Sequence, residues 1–140
     1  MNKLHLLLIL VIIFCFSCDT TSPEELDKNA ILDILDSIQT NFNFDDLNGI
    51  MQNYHQLFNH NGYSYGSESI RWEIRLNDFN EMTFDNIDIV INGDFATASF
   101  VMHLDNTSLN EPSDENGDLS YFYYDYGSWK LCGEDFVILP

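Results

Sequence analysis

The sequence predicts an α+β domain, with N-terminal helices packed on one face of an antiparallel sheet. Three observations carry this expectation. Leu26, Ala30, Ile34 and Ile38, flanked by Ile31 and Leu35, make one apolar stripe at helical spacing. Residues 83–104 alternate apolar and polar around Asn92-Gly93, a two-residue hairpin signal. Leu119 to Tyr126 and Trp129 to Phe136 form a second hairpin around Gly127-Ser128. Helices first and antiparallel strands second is the α+β order.

Composition bounds the possible partners. A hydrophobic fraction of 45% and an aromatic fraction of 14% supply a core. The 140 residues fit one domain. A formal charge of −18, from 5 Lys+Arg against 23 Asp+Glu, argues against nucleic acid, whose phosphates need basic clusters. The same charge is repelled by anionic lipid headgroups.

The amino terminus reads as a secretory signal. Lys3 gives a positive start, Leu4 to Phe16 is apolar except for His5, and Ser17-Cys18 precedes polar Asp19-Thr20-Thr21-Ser22. Thirteen apolar residues rise only about 20 Å as a helix, short of a hydrocarbon core of about 30 Å. Ser17-Cys18 after an apolar run resembles the lipobox of bacterial lipoproteins. That resemblance implies cleavage before Cys18 and lipid on its sulfur. Cys15 and Phe16 stand where the usual pattern has an aliphatic and a small residue, so the match is relaxed. The expected organisation is a signal peptide over residues 1–17, a tether over 18–22 and one domain over 23–140. Loss of residues 1–17 removes Lys3 and no acid, leaving −19. Cys132 is then the one domain cysteine, expected as a buried structural thiol.

The first helix is expected over 23–40. Ser22 is its N-cap, Pro23 its first position, and Glu25 stands third from the cap. After Asn41-Phe42-Asn43, Asp45 or Asp46 can cap a second helix, with Leu47, Ile50, Met51, Tyr54 and Phe58 on one face. His60 to Gly66 is turn chemistry. Residues 67–79 fit two templates: Ile70 to Leu76 alternates as a strand, whereas Trp72, Leu76 and Phe79 keep helical spacing. Strands follow over Thr83–Ile91 and Phe95–Leu104, then a polar loop from Asp105 to Asp118. Leu119–Tyr126 and Trp129–Phe136 close the sheet.

Several of these residues together resemble small bacterial lipoproteins of the nuclear transport factor 2-like (SnoaL-like, cystatin-like) superfamily. They are Asp45-Asp46-Leu47, the Tyr54 to Gly62 stretch, the hairpin Ile91-Asn92-Gly93-Asp94-Phe95-Ala96 and Trp129-Lys130-Leu131-Cys132-Gly133. The resemblance implies a curved sheet wrapped around helices into a cone, and it favours a helix over 67–79. It covers members that are isomerases, dehydratases, accessory subunits and binding domains, so it does not fix function.

Candidate pocket or surface residues are Tyr54, Trp72, His103, Tyr124 and Asp125. Tyr54 faces the core and His55 does not; His103 is out of phase with the apolar face of its strand. The run Tyr121 to Tyr126 offers rigid amphipathic contact area. Asp114 to Asp118 has alternating oxygen ligands but fails the calcium-loop order. No phosphate loop, zinc spacing, nucleophile elbow or dinucleotide fingerprint is present, so no cofactor is expected. Most of the acids are expected in caps, turns and the 105–118 loop as a solvated surface. The expectation is thus a lipid-anchored protein of the bacterial cell envelope, with the outer membrane favoured over the inner. Its domain would bind a small ligand or protein partner without catalysis. The alternatives are a cone-pocket enzyme or an accessory subunit docking by its sheet face, and the sheet could also serve a homodimer.

Overall fold

The computed structural model describes residues 22–113 and 117–138. The expected signal peptide, Ser17 and Cys18, and part of the acidic run at 114–116 lie outside them.

Helix α1 (Pro23–Asn43) begins as expected, with Ser22 Oγ accepting from the Glu25 N–H at 3.2 Å. It runs past residue 40 because Phe42 continues the buried face of Ile31, Leu35 and Ile38. Asp46, not Asp45, caps α2 (Leu47–Met51) by accepting from the Gly49 N–H at 2.9 Å.

The second helix is far shorter than its apolar spacing predicts. Asn53 Nδ2 donates to the carbonyls of Gly49 and Ile50 at 3.0 and 3.2 Å, ending the turn. The chain then runs beside the end of the sheet. Leu131 donates to the Asn53 carbonyl at 2.9 Å, and the Leu131 carbonyl accepts from His55 at 2.8 Å. Tyr54 and Phe58 are buried as the spacing implied, but from turns rather than a helix.

Two short strands, β1 (Asn59–His60) and β2 (Tyr63–Ser64), lead into α3 (Tyr65–Asp78). The 67–79 ambiguity therefore resolves as a helix. Ser67 Oγ accepts from the Ser64 N–H at 2.7 Å and nucleates it. Its buried face is Glu68, Trp72 and Arg75, spaced i, i+4 and i+7, whereas Ile70 and Ile74 are exposed.

The sheet comprises β3 (Met82–Asn92), β4 (Phe95–Leu104), β5 (Thr107–Glu111), β6 (Tyr121–Asp125) and β7 (Ser128–Leu131). All pairings are antiparallel, in the order β3-β4-β6-β7. Strands β5 and β6 lie end to end along one edge of β4, opposite Phe100–Leu104 and Phe95–Thr97 respectively. A bulge between Asp85 and Asp88, with Asn86 at φ 56°, bends β3.

Three expectations about the sheet need correction. The polar loop contains β5, which carries few apolar residues because the long β4 supplies its pairing. The last strand stops at Leu131 rather than Phe136, because Gly133 at φ 80° turns the chain tightly against the Asn59 carbonyl. The hairpin loops also sit differently. Asn92 pairs with Phe95 around Gly93-Asp94, and Asp125 pairs with Ser128 around Tyr126-Gly127.

Alternate β4 residues Ala96, Ala98, Phe100, Met102 and Leu104 are buried. They join one core with α1, Trp72, Phe122 and Leu131. Burying a side chain of Leu or Ile size is worth about 1.5–3 kcal/mol, so this shared core binds helices to sheet. Among the described residues no helix is long and apolar enough to cross a membrane.

Candidate functional site

Two places gather chemistry: a buried charged cluster and an open aromatic groove. The cluster arises because α3 turns Glu68, Trp72 and Arg75 inward, where the short helical turn Gly117–Leu119 delivers Asp118. Arg75 Nη1 and Nη2 donate to Asp118 Oδ2 and Oδ1 at 2.7 and 3.2 Å. Arg71 Nη1 donates to Glu68 Oε2 at 2.9 Å, and its guanidinium lies 4.3 Å from the Tyr63 ring centroid. Trp72 Nε1–H donates to Tyr54 Oη at 2.8 Å, and Arg75 lies over the Trp72 ring.

Electrostatics divides the two acids. Burial, reinforced by the Asp118 charge, pushes Glu68 up to about 9, against the pull of Arg75 and Arg71. Burial also opposes ionisation of Asp118, but Arg75 and a hydrogen bond from Glu68 outweigh it and hold that carboxyl below its usual value. Glu68 therefore carries the proton and Asp118 the charge. Burial, with Asp118 and Glu68 nearby, raises the Tyr54 phenol well above its ordinary range. Glu111, at the end of β5, is pushed up to about 7 by burial although the Ser113 N–H donates to it at 2.9 Å. Glu68, Glu111 and Asp118 are buried and so depart from the solvated surface expected of most of the acids. Glu68 and Asp118 are completely closed to solvent.

The groove lies beside the sheet's last hairpin. It encloses about 480 Å³ and is lined by His55, Leu57, Tyr123, Tyr124, Asp125, Tyr126, Phe136 and Ile138. Phe136 packs against His55 and Tyr123 with ring centroids 4.9 and 5.1 Å apart. His55 Nε2 faces Asp125 Oδ2 at 3.3 Å, and its Nδ1 accepts from the Leu57 N–H at 3.0 Å. A neighbouring recess of about 430 Å³ meets the groove at this His55–Asp125 pair and reaches Tyr54 and Tyr65.

The five residues singled out from sequence therefore separate. Tyr54 and Trp72 join in the buried cluster, Tyr124 and Asp125 line the groove, and His103 belongs to neither. His103 Nδ1 and Nε2 contact Ser108 Oγ at 2.8 Å and Asp85 Oδ2 at 3.0 Å on the sheet's outer side. Sequence reading missed Glu68, Arg75 and Asp118. The signal was present as an i, i+7 pair of opposite charges on α3, but the burial of Asp118 depends on a turn no periodicity reveals. Cys132 is buried, and that burial pushes its thiol up to about 12, as suits a structural residue. Among the described residues no His, Cys, Asp or Glu group is arranged to hold a metal ion.

No protein-family model and no curated protein matches the sequence. Solved structures do. A protein of unknown function with a cystatin-like fold from Nostoc punctiforme aligns with a TM-score of 0.58 and 18% identity, over 77% of this chain and 87% of that one. A nuclear transport factor 2-like protein of unknown function from Shewanella oneidensis gives 0.56 and 16%, over 76% and 94%. A third, from Cytophaga hutchinsonii, gives 0.54 and 12%, over 76% and 93%. With its helices packed on an antiparallel sheet, the chain has the nuclear transport factor 2-like, cystatin-like fold.

Proposed function

We propose that this chain is a lipid-anchored protein of the bacterial cell envelope whose domain binds a ligand or partner without catalysing a reaction. The observation that carries the binding reading is the state of His55. Both of its ring nitrogens are occupied, by the Leu57 N–H and by Asp125, so it turns no free lone pair toward the groove. An open, aromatic-lined groove with an immobilised His–Asp pair suits recognition better than proton transfer. The anchor reading draws on Lys3, the apolar run and Ser17-Cys18, with the outer membrane favoured.

The anchor is tested by Cys18→Ser. The variant should remain uncut and lose lipid labelling; processing and labelling equal to the parent's would reject it. The binding reading is tested by purifying the full chain from its native host and seeking bound material by native mass spectrometry. Its loss on Tyr124→Ala or Asp125→Asn is the expected result.

A second reading, an isomerase or dehydratase working from the interior, draws on the protonated Glu68 near Tyr54 and Asp118. Against it stands the packing: these side chains fill the interior, and Glu68 and Asp118 have no exposed surface. Turnover abolished by Glu68→Gln, in a variant that still folds, would favour it.

A further inference from the structure

We infer that the β6–β7 end of the molecule is a docking surface for a basic, arginine-containing segment of a partner protein. The inference rests on the binding reading above and names the partner's chemistry.

The surface has two open recesses on either side of one hairpin. One is the groove of about 480 Å³ with Asp125 and His55. The other, about 340 Å³, lies between α1 and the hairpin and is lined by Asp27, Asp33 and Trp129 among others. Tyr124 lines both and packs on Trp129 at 5.3 Å between ring centroids. Tyr126 tips the hairpin with its side chain fully exposed. An occupant touching both recesses must therefore cross aromatic faces.

Charge complementarity fixes its sign. The cations among the described residues are Lys28, Arg71, Arg75 and Lys130, and each is already engaged. Lys28 pairs with Glu24 at 2.9 Å, Arg71 with Glu68 and Arg75 with Asp118. Lys130 Nζ donates to the Gln52 carbonyl at 2.7 Å. Asp27 accepts only a neutral indole N–H, from Trp129 at 2.9 Å. The surface thus presents carboxylates beside aromatic rings, in a chain of formal charge −18, and its nearest lysine, Lys130 on β7, is held by the Gln52 carbonyl while Asp125 turns one oxygen to His55. A guanidinium stacks on an aromatic face and forks to a carboxylate at once, which an ammonium does less well.

The test uses the full chain in non-ionic detergent and a short fluorescein-labelled peptide alternating arginine and leucine. Fluorescence anisotropy should show salt-sensitive binding, with a glutamate–leucine peptide inert and spermine a weak competitor. Tyr124→Ala and Asp125→Asn should each weaken binding about fivefold. Tyr126→Asn keeps a turn-compatible residue before Gly127 while removing the ring. It should weaken binding without lowering the melting temperature, and so separates contact from folding. Equal binding by parent and all three variants overturns the inference, as does equal binding of the acidic peptide. Spermine binding as tightly as the peptide overturns it in favour of a small polycation. Each of these results leaves the broader binding reading standing; that reading falls only if the material bound in the native host is unaffected by the groove variants.

Discussion

Arg75 grips Asp118 through both carboxylate oxygens, at 2.7 and 3.2 Å, where Asp118 has no exposed surface. Planar two-point pairing of this kind satisfies charges that could not otherwise be buried. It also joins α3 to the turn before β6, elements far apart in sequence.

Removing one half of that grip should be costly. Arg75→Met leaves Asp118 buried and uncompensated, and is expected to lose about 3–5 kcal/mol of stability. Arg75→Met combined with Asp118→Leu should lose much less than the two single changes added together. Urea unfolding of the four proteins measures the difference.

Glu68 gives stability a dependence on pH with a definite sign. Its carboxyl releases its proton near the ordinary value of 4.5 when unfolded and near 9 when folded, so between those values the folded state holds the extra proton. Stability contributed this way falls as pH rises through that window, by at most about 1.4 kcal/mol per pH unit. Glu111 adds a fall of the same sign between 4.5 and about 7. Asp118, held low, acts oppositely and withdraws stability only in acid. Glu68→Gln should flatten the alkaline limb of a melting temperature–pH curve and gain on the parent near pH 9.

Tyr54→Phe removes the oxygen that accepts from Trp72 Nε1–H at 2.8 Å. The buried indole donor is then orphaned, at a cost of about 1–3 kcal/mol. Thermal unfolding should report that loss. Tyr54→Phe joined to Trp72→Phe should show coupling between the two positions.

Gly133→Ala should damage the fold more than any surface change. Gly133 sits at φ 80°, where an alanine is strained, and an added Cβ would overlap the Asn59 carbonyl. A loss above about 2 kcal/mol is expected, read from the urea midpoint. Gly127→Ala, with positive φ but open space around it, should lose less.

Periodicity made the long elements legible. The α1 stripe and the β4 alternation each report one buried face, and both appear where the residues indicate. What failed was set by partners distant in the chain. Tyr54 and Phe58 keep helical spacing, yet the His55 N–H between them donates to the Leu131 carbonyl, and the Asn59 N–H just beyond them donates to that of Cys132. Thr107–Glu111 looks like loop because its order comes from β4 rather than from its own apolar residues. Half of the candidate groove was legible, since a tyrosine run flanking Asp125 is conspicuous. His55 was not assigned there, because its approach to Asp125 needs the turn that ended α2 early. Asp118 reads as one more acid in a polar run until Arg75 is placed beside it.

The hydrogen bond from Trp129 to Asp27 also has a mechanical meaning. Asp27 stands in the early turns of α1, so this bond clasps the start of the helix to β7. A pull delivered through Ser22 would first peel the turn ahead of Asp27, then load the clasp, and only afterwards reach the sheet. Asp27 and Trp129 also wall the smaller recess, so the clasp and that recess share two side chains.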